Sequence, residues 1–477
     1  MINEDLSPLL LSAPYRSKIL YTLLLIGFFW LLKKGAAYLI NNKFKDKKSH
    51  YHLLRVTDYF FWFLKIIFVG SLWFHGLGPL STFFGLATAG IAVTFRDPLL
   101  NLMGWFTILW KHPFSVGDRI EVMGIKGDVI DINIFEFTVF YEGVPQNADN
   151  PPWAGGFTWS KDKDGRDWIA VSCEGEGARI WWPNKDHITA EGDSVRMVYT
   201  VPSNLVAVGN GKLRSVNKSG DKTTYEWFVQ NPINNYNISV QIGNYVTVQD
   251  TFKKDDTTHF MNHYVLDYNR ELASNFFPQS KEVIRFYEKY FGDYQWYEDG
   301  YKLIEVPYLG MEHQSAVTYG NGFSIYNGVR SKSWPMYGVM DPLIIHETGH
   351  EWFGNSVTAS DPTHIWIHEG MQVYSEAIYF EDKFDSYEVG VHYLNTIKNR
   401  IVNKIPIVGR EDENHWALHG YTYMKGAWVM HTLRSVISDD ETWFEILKEF
   451  MVENAKGFAN TRNFFNKAEE KTKTDYW

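Results

Sequence analysis

Apolar runs fill much of the first 110 residues of the chain. Residues 19–32 form one run and residues 59–74 a second, which Lys65 interrupts. Residues 77–95 form a third, which residues 99–110 continue after Pro98. A membrane-spanning helix needs about 20 apolar residues, so the third run is long enough and the first two are marginal. The pattern predicts transmembrane helices within residues 1–112, with a helix break at Pro98.

The pattern changes twice after the last apolar run. Residues 113–139 alternate between polar and apolar with glycines between, which predicts a small β segment. Residues 140–250 are rich in Gly, Trp, Val and Thr with turn dipeptides, which predicts an antiparallel β domain. From about Thr251 to residue 477 helical periodicity dominates. The predicted fold class is therefore multidomain: transmembrane helices, a small β segment, an antiparallel β domain and a mainly α domain.

Charge separates the same two parts of the chain. Residues 1–139 hold 14 of the 46 Lys and Arg but only 10 of the 56 Asp and Glu, so the remainder carries 32 against 46. The loop between the first two runs is basic, which predicts that it faces the cytoplasm, with the N-terminus outside and residues after the third helix inside. The acidic remainder argues against a nucleic-acid partner. A lone cysteine, Cys173, excludes an internal disulfide.

One short motif carries metal chemistry. His346-Glu-Thr-Gly-His350 is an HExxH pattern, and positions i and i+4 share one face of a helix, so both imidazoles can bind one ion. Catalytic zinc takes three protein ligands and a water. Glu369, after a spacer of eighteen residues, is the candidate third ligand. Glu347 is the candidate general base. The sequence predicts one zinc ion.

Further motifs in a fixed order give a resemblance to a family. The segments GMEHQSA at 310–316, HETGHEWFGN at 346–355, WIHEG at 366–370 and YMKGA at 423–427 resemble those of the gluzincin zinc aminopeptidases, the family of alanyl aminopeptidases and leukotriene hydrolase. RIWWPNKD at 179–186 and VPSNLVAVGNGKL at 201–213 resemble that family's N-terminal β domain. The resemblance implies a saddle-like β domain, a thermolysin-like catalytic domain, and hydrolysis of peptides from a free N-terminus.

The resemblance also implies roles for single residues. Tyr423 would donate its hydroxyl to the oxyanion of the tetrahedral intermediate. Gly310 and Met311 would line the substrate as a short edge strand. Glu312 would hold the free α-amino group of the peptide, and Glu174 would be a second anchor for that amine. Met-Glu is followed by His313, where Asn is usual, which indicates a subfamily.

Some positions keep two readings at this point. Glu312 is also compatible with a surface carboxylate and Tyr423 with a core tyrosine, and the motif around Glu174 is short. Glu376 lies seven residues after Glu369 on the same helix face, where it either orients a zinc-bound histidine or belongs to a solvated surface. Cys173 is best explained as a small packed residue beside the cleft.

The N-terminal part resembles a different family. Residues 83–139, with a Gly- and Ala-rich helix and then PFSVGDRIEV and GIKGDVIDINIFEFTV, resemble small-conductance mechanosensitive channels. This resemblance implies attachment to a lipid bilayer, such as a bacterial inner membrane, and a ring of identical subunits. It ends near Val139, and the sequence suggests that both partners are truncated in a natural or artefactual fusion of two gene fragments.

Several readings of the whole chain remain open from sequence. The first is a membrane-anchored zinc aminopeptidase, with domains at 1–112, 113–139, 140–250 and 251–477. The second is a mechanosensitive channel subunit with a fused, inactive peptidase domain. A membrane-tethered peptide-binding module would require the loss of a ligand or base, and none is lost. The predicted cytoplasmic side conflicts with the secreted character of many GMEH-type aminopeptidases.

Overall fold

The computed structural model describes residues 13–43, 57–66, 68–70, 96–111, 113–115, 119–122, 125–132, 137–175, 177–185, 187–323, 340–401, 403–404, 406–411 and 419–476. The chain divides into two compact units. One unit comprises residues 1–115 and 131–137, and the other comprises residues 116–130 and 138–477. The predicted functional residues all lie in the second unit.

The first unit contains the apolar helices. Helix α1 (Ala13–Lys43) includes a stretch, Ser17–Ala37, that is long and apolar enough to cross a membrane by length and composition. Residues 57–66 and 68–70 are also helical, and their Phe68 ring lies 5.3 Å from that of Phe29 on α1. Helix α2 is Arg96–Lys111. The third predicted run, residues 77–95, lies outside the described residues. Pro98, the predicted break, lies in the first turn of α2, which begins two residues before it at Arg96.

A small sheet follows these helices. Its strands are β1 (Arg119–Val122), β2 (Ile125–Ile132) and β3 (Phe137–Glu142), in the order β1-β2-β3. Strands β1 and β2 are antiparallel and pair Val122 with Ile125 across a tight turn. The small β segment predicted for residues 113–139 is therefore present. The predicted join at residues 139 and 140 falls inside β3 rather than between elements.

The range predicted as an antiparallel β domain, residues 140–250, contains antiparallel strands. Its strands are β4 (Gly156–Lys161), β5 (Asp167–Ser172), β6 (Glu191–Gly192), β7 (Val195–Pro202), β8 (Val206–Gly209), β9 (Lys212–Ser219), β10 (Lys222–Val229), β11 (Ile233–Asn234) and β12 (Val240–Gly243). They form sheets in the orders β4-β5-β12-β8, β7-β10-β9 and β11-β6. Alternate residues of β10 are buried, as expected for a strand with one face on a core.

A five-stranded sheet leads into the helical part. Its strands are β13 (Tyr245–Lys254), β14 (Thr257–Leu266), β15 (Leu303–Glu305), β16 (Gly310–Met311) and β17 (Val317–Tyr319), in the order β13-β14-β15-β17-β16. The predicted change to helices at Thr251 is wrong, because Thr251 lies in the middle of the β13–β14 hairpin. The hairpin ends at Leu266, and the first α-helix after it begins at Arg270, so a window wide enough to detect helices also includes the helical sequence after the hairpin.

Helices dominate from residue 270 onward. They are α3 (Arg270–Phe276), α4 (Ser280–Phe291), α5 (Pro342–Gly349), α6 (Trp366–Phe384), α7 (Tyr387–Lys398), α8 (His419–Ile437), α9 (Asp440–Glu453) and α10 (Thr461–Thr472). A two-stranded parallel pair, β18 (Val357–Ala359) and β19 (Gly457–Ala459), joins distant parts of this region. One apolar core lies among these helices and a second lies within the β domain.

Local signals fix the start of α5. The Asp341 side chain accepts a hydrogen bond from the backbone N–H of Leu343 at 2.8 Å and caps the helix, and Pro342 occupies the first helical position, where its missing N–H costs nothing. Helical structure predicted through residue 355 ends earlier, at Gly349. His350 is the C-cap and keeps helical angles (φ −62°, ψ −17°), so the i, i+4 relation to His346 holds.

Candidate active site

Three donor atoms converge at the end of α5 and the start of α6. The Nε2 atoms of His346 and His350 lie 3.2 Å apart, and each lies 3.5 Å from Oε2 of Glu369. Tetrahedral zinc with bonds of about 2.0–2.1 Å places its ligand atoms about 3.3 Å from one another. The three predicted ligands are all buried and could hold a metal ion. The donor set and its spacing therefore fit zinc.

The remaining imidazole nitrogens are held by the protein. Nδ1 of His350 donates to the carbonyl oxygen of Phe353 at 2.9 Å, and Nδ1 of His346 donates to Oε1 of Glu376 at 2.7 Å. Both bonds leave the Nε2 lone pairs directed at the metal position. Glu376 is buried, and its other carboxylate oxygen accepts the hydroxyl of Tyr393. Of its two readings, Glu376 therefore orients a ligand and does not belong to a solvated surface.

Negative charge is concentrated around these histidines. Burial lowers the pKa of His346, but the carboxylates of Glu369 and Glu376 outweigh it and raise that pKa to about 9. For His350 too, burial is outweighed by nearby carboxylates, with Glu369 first, and the pKa is raised well above its usual value. A buried cluster of carboxylates that stabilises positive charge on its neighbours favours a cation at this position.

Glu347 lies against the edge strand β16. A Cβ atom on Gly310 would come within 2.8 Å of Oε1 of Glu347, so the absence of a side chain at Gly310 makes room for this carboxylate. Strand β16 pairs antiparallel with β17 on one side, Gly310 with Tyr319 and Met311 with Thr318, and is the last strand of its sheet. The predicted short edge strand is therefore present, beside the predicted base.

Two further carboxylates meet beside the metal position. Glu312 is buried, and burial together with the neighbouring Glu174 raises its pKa well above the usual range. Oxygen atoms of Glu312 and Glu347 and a nitrogen of His350 also lie close together, within 4.8 Å of one another. Glu174 lies in the turn that follows β5. The structure thus brings both predicted amine anchors to one place, from the β domain and from the GMEH segment.

Tyr423 reaches the site from α8. Its hydroxyl donates to Oε1 of Glu369 at 2.6 Å, and its ring is nearly parallel to that of His346, with centroids 6.2 Å apart. Helices α6 and α8 approach closely where Gly370 faces Gly426, since a Cβ on Gly426 would come within 2.7 Å of Cα of Gly370. This contact lies one residue after Glu369 and three residues after Tyr423. The two glycines therefore set how close these side chains come.

Sequence reasoning missed several residues of the site. The buried hydroxyl of Tyr236, from the β domain, faces Glu312 and lies near Glu174 and Glu369, which together with burial raise its pKa. His313, predicted only as a subfamily mark, is buried and neutral, with Nε2 donating to the carbonyl oxygen of Val171 at 3.0 Å. Burial lowers its pKa to about 4. Tyr236 belongs to no recognised motif, so only the fold could identify it. His313 lies in the GMEH segment, but only the fold shows its contact with the β domain.

Two family models match the chain. Residues 277–476 match the peptidase family M1 domain, and residues 97–141 match the β-domain of the mechanosensitive ion channels. The first match contains His346, His350, Glu369 and Tyr423. The second covers α2 and the small β1–β3 sheet. Both resemblances expected from the sequence are thus supported, each over its own part of the chain.

Individual proteins show the same similarity. Endoplasmic reticulum aminopeptidase 2 of Homo sapiens is 28% identical over 191 residues, covering 37% of this chain and 20% of the relative. Leucyl aminopeptidase of Saccharolobus solfataricus is 22% identical over 306 residues, covering 61% of this chain and 38% of the relative. The chain therefore spans well under half the length of these relatives.

A solved structure shares the fold. The M1 zinc metallopeptidase of Deinococcus radiodurans superposes with a TM-score of 0.56 at 18% identity, covering 70% of this chain and 72% of the other. A related structure of a two-domain M1 zinc metallopeptidase has L-tryptophan bound. The M1 domain match and the converging donor atoms support zinc as the metal of this site, with His346, His350 and Glu369 as the residues that can bind it.

Proposed function

We propose that the chain is a zinc-dependent aminopeptidase that removes N-terminal residues from peptides. The observation that carries the proposal is the triangle of His346 Nε2, His350 Nε2 and Glu369 Oε2, with sides of 3.2–3.5 Å, beside the buried carboxylates of Glu347 and Glu312. The donor triangle is suited to a metal ion, and the buried carboxylates beside it are suited to an ammonium group. An enzyme that cleaves the peptide bond next to a free N-terminus needs both sites a short distance apart.

The chemistry follows from what each group can do. Bound zinc would polarise the scissile carbonyl and would also lower the pKa of a water molecule, so that the water can act as a nucleophile at neutral pH. The carboxylate of Glu347 would take the proton from that water and deliver it to the leaving amine. The hydroxyl of Tyr423, which donates to Glu369, would turn to the developing oxyanion and stabilise it by a hydrogen bond.

The amine end of the peptide would bind to the carboxylates. The high pKa of Glu312 reflects burial beside Glu174, so the pair would gain stability from a positive charge. An ammonium group placed there would pair with both carboxylates and hold the first peptide bond at the metal. Gly310 and Met311 would pair with the peptide backbone as an edge strand does.

We further propose that the peptidase part is attached to a membrane through the N-terminal segment. The apolar helix α1 and the match of residues 97–141 to the mechanosensitive channel β-domain support attachment. The basic loop at residues 43–55 would place the peptidase part on the cytoplasmic side. A ring of identical subunits would follow if the segment assembles as the channels do.

A channel subunit carrying an inert peptidase domain is the second candidate function. The match of residues 97–141 is the observation that favours it. In that case the site would bind zinc without turnover. The two candidates therefore differ in one measurable property, catalysis at the zinc site.

The decisive experiment is to measure zinc content and hydrolysis together. The purified chain would be tested by elemental analysis and with a panel of aminoacyl 4-nitroanilides, alongside Glu347→Gln. We expect one zinc per chain and turnover that falls about 10²–10⁴-fold in Glu347→Gln, the usual contribution of a general base.

The matched control is Glu298→Gln, the same change at an exposed glutamate. It should leave zinc content and turnover unchanged. Stoichiometric zinc without hydrolysis of any aminoacyl anilide would contradict the peptidase proposal and favour the inert domain. Equal hydrolysis of N-acetylated substrates would contradict the aminopeptidase assignment.

A further inference from the structure

The segment that carries Glu312 has an unusual backbone environment. Residues 312–315 lie between β16 and β17 and pair with neither strand. Ser315 has a left-handed backbone conformation, with φ at +57°. Buried backbone groups that lack a partner cost about 1–3 kcal/mol each. Within the turn, the N–H of Ala316 donates to the carbonyl of His313 at 2.8 Å. The remaining backbone groups must find their partners elsewhere in the fold.

Buried side chains supply these bonds. Asn355 Nδ2 donates to the carbonyl of Glu312 at 2.8 Å, and Asn237 Oδ1 accepts from the N–H of Gln314 at 3.2 Å. Asn210 Nδ2 donates to the carbonyl of Gln314 at 2.8 Å. We call the loop clamp the set of five side chains that bond to the backbone of residues 312–315: Asn210, Asn237, Lys302, Glu351 and Asn355.

Two ionisable members hold Ser315 from both sides. Oε1 of Glu351 accepts the N–H of Ser315 at 2.7 Å, and Nζ of Lys302 donates to the carbonyl of Ser315 at 2.7 Å. Lys302 also donates to the carbonyl of Gly211 at 2.7 Å. The left-handed residue of the turn is thus bonded through both its N–H and its carbonyl.

The clamp also connects the turn to the zinc ligands. Glu351 is the residue after His350, and the backbone N–H of Asn355 donates to the carbonyl of His350 at 3.0 Å. The Nδ2 group of Asn237 in turn donates to Oδ1 of Asn355 at 2.8 Å. One short segment after α5 therefore bonds to both the metal-ligand backbone and the backbone of Glu312.

We infer that the loop clamp positions Glu312 relative to the zinc ligands and so sets the separation between the ammonium site and the scissile bond. The inference rests on the proposed function and deepens it. It assigns the restriction of cleavage to the first peptide bond to side chains that lie outside the zinc motif and the GMEH segment. The members are positioning residues: they bond to the backbone of the anchor segment and not to the peptide. Loosening the clamp should therefore weaken recognition of the amine specifically.

A pair of ligands separates this effect from general damage. L-Leucine hydroxamate and its des-amino analogue, 4-methylpentanohydroxamate, share the zinc-binding group and the side chain and differ only in the amine. Titration calorimetry on the zinc-loaded full chain would give both Kd values. In Asn355→Ala we expect the Kd of L-leucine hydroxamate to rise about tenfold, the loss of one well-placed bond, while that of the analogue stays within twofold.

A double-mutant cycle tests the route of the effect. If Asn355 acts through Glu312, then Asn355→Ala adds less than twofold to the Kd in a Glu312→Gln background. Full additivity of the two changes would overturn the inference. Equal weakening of both hydroxamates by Asn355→Ala would also overturn it, because that result indicates a distorted metal site.

Two controls complete the design. Asn231→Ala removes an asparagine that is likewise buried and bonded, to Asp299, but lies outside the clamp, and it should alter neither Kd. If Asn355→Ala loses zinc or does not fold, Asn355→Asp decides by the same criterion, because it keeps the shape and removes the donor. A wild-type chain that prefers the amine ligand but hydrolyses nothing would contradict the proposed function alone.

Discussion

Glu376 occupies a position that the metal motif does not include. Its carboxylate holds Nδ1 of His346 at 2.7 Å and is itself held by the hydroxyl of Tyr393. Such partners fix the orientation of a ligand and increase its basicity. The zinc site therefore includes two residues besides its ligands, Glu376 on α6 and Tyr393 on α7.

Removing this carboxylate should weaken zinc binding. In Glu376→Ala we expect zinc affinity to fall about 10–100-fold, the usual effect of losing a partner of a metal ligand. Competition with a chromophoric chelator measures it. Glu388→Ala on α7, at an exposed glutamate, is the matched control. Unchanged affinity in Glu376→Ala would mean that the bond to His346 does not contribute to binding.

Tyr423 should affect turnover rather than binding. Because its hydroxyl is placed at Glu369 beside the metal position, we expect Tyr423→Phe to lower kcat about 10²–10³-fold with little change in KM, as for loss of an oxyanion donor. Steady-state kinetics with an aminoacyl anilide measures both constants. Tyr379→Phe, which removes a hydroxyl bonded to Glu282, is the control. A rise in KM at constant kcat would contradict the oxyanion role.

At the scale of elements, the approach of α6 and α8 sets the site. These helices carry Glu369 and Tyr423, and their backbones meet at Gly370 and Gly426. Small residues at a crossing allow this close approach, whereas larger residues hold helices 8–10 Å apart. A side chain at either glycine would thus separate a zinc ligand from the catalytic tyrosine candidate.

Gly426→Ala tests this contact. Its new Cβ would lie 2.7 Å from Cα of Gly370, so the helices must move apart. We expect a loss of about 1–3 kcal/mol in the free energy of unfolding, typical of overpacking, together with lower kcat. Chemical denaturation and kinetics measure the two effects. Gly192→Ala, whose new Cβ would meet nothing closer than 3.4 Å, should be nearly neutral. Normal stability in Gly426→Ala would contradict the tight crossing.

At the scale of the whole molecule, a buried histidine couples stability to pH. His263 on β14 is completely buried, and its Nδ1 accepts the N–H of Leu303 on β15 at 2.9 Å. Burial lowers its pKa from 6.5 to about 4. Between these values the unfolded chain binds a proton that the folded chain does not. The free energy of unfolding should therefore decrease as the pH falls from 6.5 to about 4.

The size of this decrease can be measured by substitution. The change in the pKa of His263 from 6.5 to about 4 corresponds to a contribution on the order of 3 kcal/mol to the free energy of unfolding. We expect His263→Gln to show a flatter pH dependence over this window than the unsubstituted chain. Denaturation of both proteins in detergent, with a chelator present to exclude zinc release, gives the comparison. Parallel pH profiles would show that the pKa of His263 is the same in the folded and the unfolded chain, which would contradict the prediction.

Regular local patterns explain most of the correct predictions. His346, His350 and Glu369 were identified because a helix repeats every 3.6 residues and because the spacer matches known enzymes. The β domain and the helices after residue 270 follow their own periodicities. The change to helices was placed too early, at Thr251, because β13 and β14 lie next to helical sequence and one averaging window covers both.

Contacts between residues that are distant in sequence could not be predicted from the sequence. Asn210, Asn237, Lys302 and Tyr393 take part in the site, yet each lies dozens of residues from the segment it contacts or in a stretch without a recognisable motif. A buried amide or amine looks the same in sequence whether it serves a turn nearby or one a hundred residues away. Only the distances between atoms in the folded structure distinguish these cases.

The sequence by itself determined which three residues can bind a metal ion, His346, His350 and Glu369, and that strands precede helices along the chain. Backbone geometry converts the spacing of the two histidines along one helix directly into position, and Glu369 follows from the spacer of the family that the chain resembles. The general base and the domain bounds stay predictions. The tertiary structure alone decided which residues orient the ligands, how closely α6 and α8 approach, and which buried side chains hold the segment of Glu312. Those features depend on burial, because a polar group removed from water must find its partner wherever the fold brings one within reach.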